Sequence, residues 1–172
     1  MMLGLTYAQF VGVIGTSIIL GPTEPTDLAH FGKRDVIVSF GANSANKSGP
    51  GQSGFVTATL MPHDLLFERF TPIYAVGVSV DGALFTSAGI GKRFNFFGID
   101  VTPHWSPTLY QRDISKGFSQ KEILQFRTGF DISYRLSDNF SFNGGFYHIS
   151  NAGITSKSAG IDVTHIGFKL TF

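Results

Sequence analysis

The sequence predicts an all-β fold, an eight-stranded antiparallel transmembrane β-barrel of the outer-membrane type. Three observations point there. Apolar residues alternate with small or polar ones at period two along most of the chain, the spacing at which strand side chains share a face. Glycine (21) and phenylalanine (18) are abundant while charged residues make up only 15%, which suits a wall with small residues inside and aromatic rings against lipid. The strand charges also gather on the face opposite the bulky residues. At 172 residues the chain has room for one domain. Its net charge of +1 gives no reason to expect a nucleic-acid partner. With no cysteine, disulfides, thiolate metal sites and a cysteine nucleophile are excluded.

Residues 1–21 are apolar and read as an export segment or a retained helix, although they lack a basic n-region and no Ala-x-Ala cleavage site follows. Pro22-Thr23-Glu24-Pro25-Thr26 opens a linker over residues 22–32, and the barrel is expected over residues 33–172. Its first strand alternates Val36, Val38 and Phe40 with Ile37, Ser39 and Gly41. The second sets Val56, Ala58 and Leu60 against Thr57 and Thr59. Tyr74, Val76, Val78 and Val80 form the third apolar face. Asp81-Gly82 follows at once as a two-residue hairpin signal, and Leu84, Thr86, Ala88 and Ile90 return along the fourth strand.

The later strands carry the pattern more strongly. Phe97, Ile99, Val101, Pro103 and Trp105 alternate with Gly98, Asp100, Thr102 and His104, after which residues 106–119 read as a polar loop. In the sixth strand Leu124, Phe126, Phe130, Ile132 and Tyr134 oppose Gln125, Arg127, Asp131, Ser133 and Arg135. Phe140, Phe142, Phe146, His148 and Ser150 share one face of the seventh, with Ser141, Asn143 and Tyr147 on the other. Ile166, Phe168, Leu170 and Phe172 mark the eighth, and Gly167-Phe168-Lys169-Leu170-Thr171-Phe172 resembles the terminal signal by which outer-membrane barrels are recognised for assembly. Tight turns are expected at residues 93–95 and 136–138.

A soluble barrel would turn its apolar face inward. Here the polar face holds glycines with Asp100, Arg127, Asp131, Arg135 and Lys169, while the other is bulky and almost free of charge. Eight strands enclose little space, and charge on a lipid-facing wall is costly, so the bulky face is assigned to lipid. With both chain ends in the periplasm, odd-numbered strands rise, and the seventh ends at the extracellular rim. Asp131 with Arg127 or Arg135 reads as a lumen salt bridge. His104 and Asp100 read as polar pairs plugging the lumen rather than a metal site, and His165 as structural. Trp105 and Tyr110 suit the aromatic girdle.

A serine nucleophile needs a base, and the base needs an acid to hold its tautomer. His148 and Ser150 lie two residues apart on the apolar face, at the rim of the seventh strand. Asp162 has the outward parity of Phe168, Leu170 and Phe172, and a hairpin closed by residues 151–159 brings it opposite His148 or Ser150. Three polar residues converge on a face that should be apolar.

The run Phe146-Tyr147-His148-Ile149-Ser150-Asn151-Ala152-Gly153-Ile154 resembles the signature of the lipid A 3-O-deacylase (PagL) family, and Leu124-Gln125-Phe126-Arg127-Thr128-Gly129-Phe130 resembles the preceding family strand. The resemblance implies a serine esterase of the Gram-negative outer membrane that hydrolyses the 3-linked acyl ester of lipid A. Carried over, His148 is the base, Ser150 the nucleophile and Asp162 the orienting acid. Asn151, Gly153, Ser158 and Gly160 are candidates for binding the oxyanion or positioning substrate. Such a mechanism requires no metal and no cofactor. Its partners are lipopolysaccharide in the outer leaflet and the surrounding membrane lipids, and the reading allows a homodimer. The chain departs from the family twice, with Asp162 in place of glutamate and Ser158 where asparagine is usual. Both departures favour the alternative of a barrel with a degraded site and a structural or interaction role. The intact His148–Ser150–Asn151 run opposes it.

Overall fold

The computed structural model describes residues 32–44, 53–67, 69–111, 124–151 and 160–172, together with Thr16. Nine strands follow in order: β1 (Arg34–Ser44), β2 (Gly54–Pro62), β3 (Thr71–Ser79), β4 (Leu84–Gly91), β5 (Phe94–Phe96), β6 (Ile99–Gln111), β7 (Leu124–Ser137), β8 (Phe140–Ser150) and β9 (Ile161–Thr171). All pairings are antiparallel. β4 and β5 pair in succession with β6 and act as one stave interrupted at Lys92 and Arg93. β1, the first described strand, pairs with β9, the last, so eight staves close into a barrel, as expected. Closure removes the unpaired sheet edges that neither water nor lipid could satisfy here.

The alternation read from the sequence is the division of the wall. Val38, Phe40, Val56, Tyr74, Val76, Phe142, Ile166 and Phe168 are exposed on the outer face, and Phe126 is half-buried there. Arg127 and Asp131 are buried inside. The lumen is layered. Near the chain ends Asp35 accepts from Arg93 Nη2 at 2.7 Å and Thr171 Oγ1 at 2.7 Å, with His63 Nε2 at 3.0 Å. Lys169 Nζ donates to Asp100 Oδ2 at 2.7 Å, and Asn95 Nδ2 to Asp100 Oδ1 at 2.7 Å. Asp131 meets His165 Nε2 at 3.0 Å and His104 Nε2 at 3.5 Å. Toward the other rim the filling becomes apolar, with Phe55, Phe85, Tyr110, Tyr147, Ile149, Ile161 and Val163 in one buried cluster.

Several expectations are corrected. Asp131 is held by a hydrogen bond to His165, with His104 Nε2 beside its other oxygen, rather than by a salt bridge to Arg127 or Arg135. Arg135 is exposed beside the irregularity in β7 between Arg135 and Ser137, and Arg127 lies 4.4 Å from the Tyr147 ring. His104 turns to Asp131, while Asp100 takes Lys169. Tyr110 is buried in the lumen and does not belong to the girdle, because β6 continues through Ser106 and Pro107 to Gln111. The turn expected at residues 93–95 lies at Phe97 and Gly98, both with positive φ (52° and 84°), in a two-residue hairpin. The one expected at residues 136–138 falls at Asp138 and Asn139. After β3 the connection is longer than two residues, since Ser79 N donates to Ala83 O across Asp81 and Gly82. The expected export segment lies outside the described residues except for Thr16, and so does the linker except for Gly32.

Ile166 is 61% exposed near the middle of β9, opposite Phe40 and Gly144. Ile166→Arg should lower the unfolding free energy in lipid vesicles by about 2–4 kcal/mol, and Phe172→Arg at the rim by no more than about 1 kcal/mol. Denaturant titration in vesicles checks the difference, and equal losses would argue against a lipid-facing wall.

Candidate active site

The site is assembled where β8 and β9 reach one rim of the barrel. The start of β1 and the end of β9 lie together at the other rim, where Arg34 N donates to Phe172 O and Phe172 N to Arg34 O. On β8, Tyr147 and Ile149 are fully buried. Tyr147 is pinned across the lumen by a 3.1 Å hydrogen bond between its hydroxyl and Thr57 Oγ1, and by an edge-to-face contact with Phe85 at 5.9 Å. With these two residues inside, His148 and Ser150 turn outward. On β9, Ile161 and Val163 are buried in the same cluster, which turns Asp162 outward as well.

The register pairs His148 with Asp162 directly. The His148 Nδ1–H donates to Asp162 Oδ1 at 2.5 Å. The aspartate therefore reaches the ring without the additional methylene of a glutamate. With Nδ1 as the donor, a neutral imidazole carries its lone pair on Nε2. Gly160 makes the ring position available. A Cβ there would lie 2.4 Å from His148 Cε1 and 2.7 Å from Nε2, so the imidazole edge occupies the space a side chain would take. Continuing the Ile149–Ile161 pairing by one step brings Gly160 level with Ser150. The Nε2 edge thus lies over the residue facing Ser150 across the ladder.

Ser150 and Asn151 are buried. On the β7 side, Phe126 stands opposite Ser150 and Thr128 opposite His148. Phe126 stacks on Trp105 with ring centroids 5.4 Å apart, and Phe130 pairs with Phe146 at 6.5 Å. The side chain of Asp162 is 31% exposed and that of His148 only 12%, so the carboxylate is the wetter end of the pair. Of the residues singled out in the sequence, the structure brings together His148, Ser150, Asp162, Asn151 and Gly160. Gly153 and Ser158 lie outside the described residues. Thr128 escaped the sequence reading. Its signal was a hydroxyl at the parity of Phe126 and Phe130, in a row otherwise built of aliphatic and aromatic side chains from Leu124 to Tyr134.

The closed barrel with its lipid-facing aromatic wall and an outward His–Asp pair beside a serine defines an outer-membrane barrel with an enzyme-like site on its outer surface. The chain belongs to the lipid A 3-O-deacylase (PagL) family, whose sequence model matches residues 41–171. No functionally curated sequence matches the chain. Among solved structures, the outer membrane enzyme PagL is 15% identical, with 79% of this chain and 98% of that one covered at a TM-score of 0.52. Neisserial surface protein A is 14% identical, covering 82% and 97% at 0.55, and a de novo designed transmembrane β-barrel is 13% identical, covering 83% and 97% at 0.60. At these identities the structural likeness speaks for the fold. Family and fold together place the chain in the Gram-negative outer membrane.

The His148–Asp162 hydrogen bond should give a low-field imidazole proton in the NMR spectrum of the folded barrel. Asp162→Asn and Gly160→Ala should each remove it, the first by weakening the acceptor and the second by displacing the ring. A resonance that survived both substitutions would assign the proton to another group.

Proposed function

We propose that this protein is a lipid A 3-O-deacylase in which Ser150 is the nucleophile, His148 the general base and Asp162 the orienting acid. The single observation carrying this reading is the 2.5 Å His148–Asp162 bond on the lipid-facing wall, beside a serine two residues along the same strand. Family membership supplies the substrate class. His148 Nε2 takes the Ser150 proton as Oγ attacks the carbonyl carbon of the 3-linked acyl ester. The tetrahedral oxyanion collapses, the bond to the sugar oxygen breaks, and the imidazolium returns the proton to that oxygen. Water then releases the acyl group as a fatty acid by the same route in reverse.

Asn151, buried next to the nucleophile, is the first candidate for oxyanion stabilisation, with Gly153 and Ser158 as further candidates from the adjoining segment. Gly160 serves a different purpose in this reading, giving the imidazole room beside Ser150. Access fits the substrate. The strand ends Ser44 and Gly54, Gln111 and Leu124, and Ser150 and Ile161, which are separated by the longest stretches of sequence between paired strands, lie at the rim bearing the site, whereas β5–β6 and β7–β8 turn tightly at the other. Long loops face outward and short turns face the periplasm in barrels of this type. The site then meets the outer leaflet, and the lipid reaches it by lateral diffusion.

Ser150→Ala and His148→Ala should each abolish release of fatty acid from lipid A, measured by mass spectrometry, while the barrel still folds. The combined substitution should cost little more than either alone, since triad members act as a unit. Asp162→Asn should lower turnover by a factor on the order of 10³–10⁴ by spoiling the tautomer, whereas Asp162→Glu should remain active. Wild-type turnover in Ser150→Ala would overturn the serine mechanism, and an active Asp162→Asn enzyme would remove Asp162 from the site.

A further inference from the structure

Thr128 breaks the pattern of its face. Along β7 it lies between Phe126 and Phe130, and the register sets it between Trp105 on β6 and His148 on β8. It is 1% exposed, and its Oγ1 has no hydrogen-bond partner. A buried hydroxyl without a partner destabilises the fold, and valine would fill nearly the same volume without that penalty. The imidazole does not use this hydroxyl either. Its Nδ1 is committed to Asp162, and its Nε2 edge lies over Gly160 on the β9 side, away from β7. An unsatisfied polar atom therefore stands beside the reacting groups, between the Trp105–Phe126 stack on one side and the Phe130–Phe146 pair on the other.

We propose that Thr128 is a substrate-binding residue, whose hydroxyl hydrogen-bonds an oxygen of the bound acyl ester or of the sugar ring bearing it. This rests on the reading of Ser150 and His148 as the reacting pair. A hydroxyl donates to an ester carbonyl or accepts from a sugar hydroxyl with equal ease, so the required ligand chemistry is an oxygen-rich group attached to an apolar chain. The aromatic pairs flanking Thr128 provide the apolar contacts for that chain. The free protein tolerates the unpaired hydroxyl because substrate supplies the partner. A group kept for binding at the expense of stability marks a site rather than a wall.

The sign of two measurements separates this role from a structural one. The full chain folded into vesicles containing lipid A is compared with Thr128→Val, Thr128→Ser and Ser150→Ala. Thr128→Val should lower kcat/KM roughly tenfold, the weight of one hydrogen bond, while its thermal midpoint stays level or rises. Thr128→Ser should retain most of the activity. Undiminished activity in Thr128→Val, or activity and midpoint falling together without rescue by serine, would overturn the proposal. If the wild-type protein were as inert as Ser150→Ala, the catalytic reading would fail by itself. Thr128 is then judged by lipid A binding in the Ser150→Ala background, where weaker binding with Thr128→Val supports the contact and equal binding overturns it.

Discussion

Eight strands closed into a ring leave an interior only wide enough for side chains to fill. Within that space a charge has no water to turn to, and its partner must come from the facing wall. The lower lumen meets this condition by sharing. Lys169 lies between Asp35 and Asp100, and Asp35 also takes Arg93 and His63, so that each carboxylate is matched by donors from other strands. A buried ion left without its partner would cost about 3–5 kcal/mol, which makes the network a constraint on how the staves align around the ring. Higher in the lumen the matching is less complete, and Arg127 is the largest case. Two of its guanidinium nitrogens have no hydrogen-bond partner, and its neighbours are the Tyr147 and Phe85 rings. With the described lumen filled by side chains, the proposed chemistry lies on the outer surface.

The filling also positions the site. Slipping a strand by one residue exchanges its two faces, so whatever fixes the inward residues fixes the outward ones. Tyr147, Ile149, Ile161 and Val163 are four large inward residues on the two strands of the site, and all are buried. They hold His148, Ser150 and Asp162 on the opposite face and hold β8 and β9 level with each other. Directly opposed strand residues have Cβ atoms about 4.5–5.5 Å apart, a span that imidazole and a short carboxylate can bridge. Direct register thus lets the short aspartate side chain reach the imidazole.

The features legible in the sequence were those set by parity. Alternation assigned Phe142 and Phe168 to the outside, placed Arg127 and Asp131 inside, and put His148, Ser150 and Asp162 on one face before any pairing was known. Features set by three-dimensional pairing were not legible. Which carboxylate meets which base depends on register around the whole ring, and Asp131 proved to meet His165 and His104 rather than an arginine. Residues 106–119 read as a polar loop, and Pro107 within them lacks the ladder donor of a strand interior. It instead points outward within a strand that runs to Gln111, which carries Ser106 and Tyr110 into the lumen. The Phe97–Gly98 turn lacks the Asn-Gly or Asp-Gly of a usual two-residue hairpin. Its non-glycine residue at φ 52° is visible only in the backbone. Gly160 was marked as a candidate by its position, but its reason is steric and needs the ring in place.

Polar residues on a lipid-facing wall are expected to be few and to satisfy one another. The His148–Asp162 bond satisfies that condition for two of them, and their exposures show how the pair is divided between two media. The carboxylate, 31% exposed, is toward the wet side, and the imidazole, 12% exposed, is drier. Ser150 is buried next to the aromatic stack. Exposure therefore falls from Asp162 to His148 to Ser150. In the proposed reaction this gradient suits an amphiphilic ester, with its sugar among headgroups and its acyl chain along the rings. Low polarity at the serine strengthens whatever donors face a developing oxyanion, because fixed dipoles act more strongly where water is excluded. Under the proposed function the fatty acid product leaves along the same aromatic wall into the bilayer, with no channel through the barrel required.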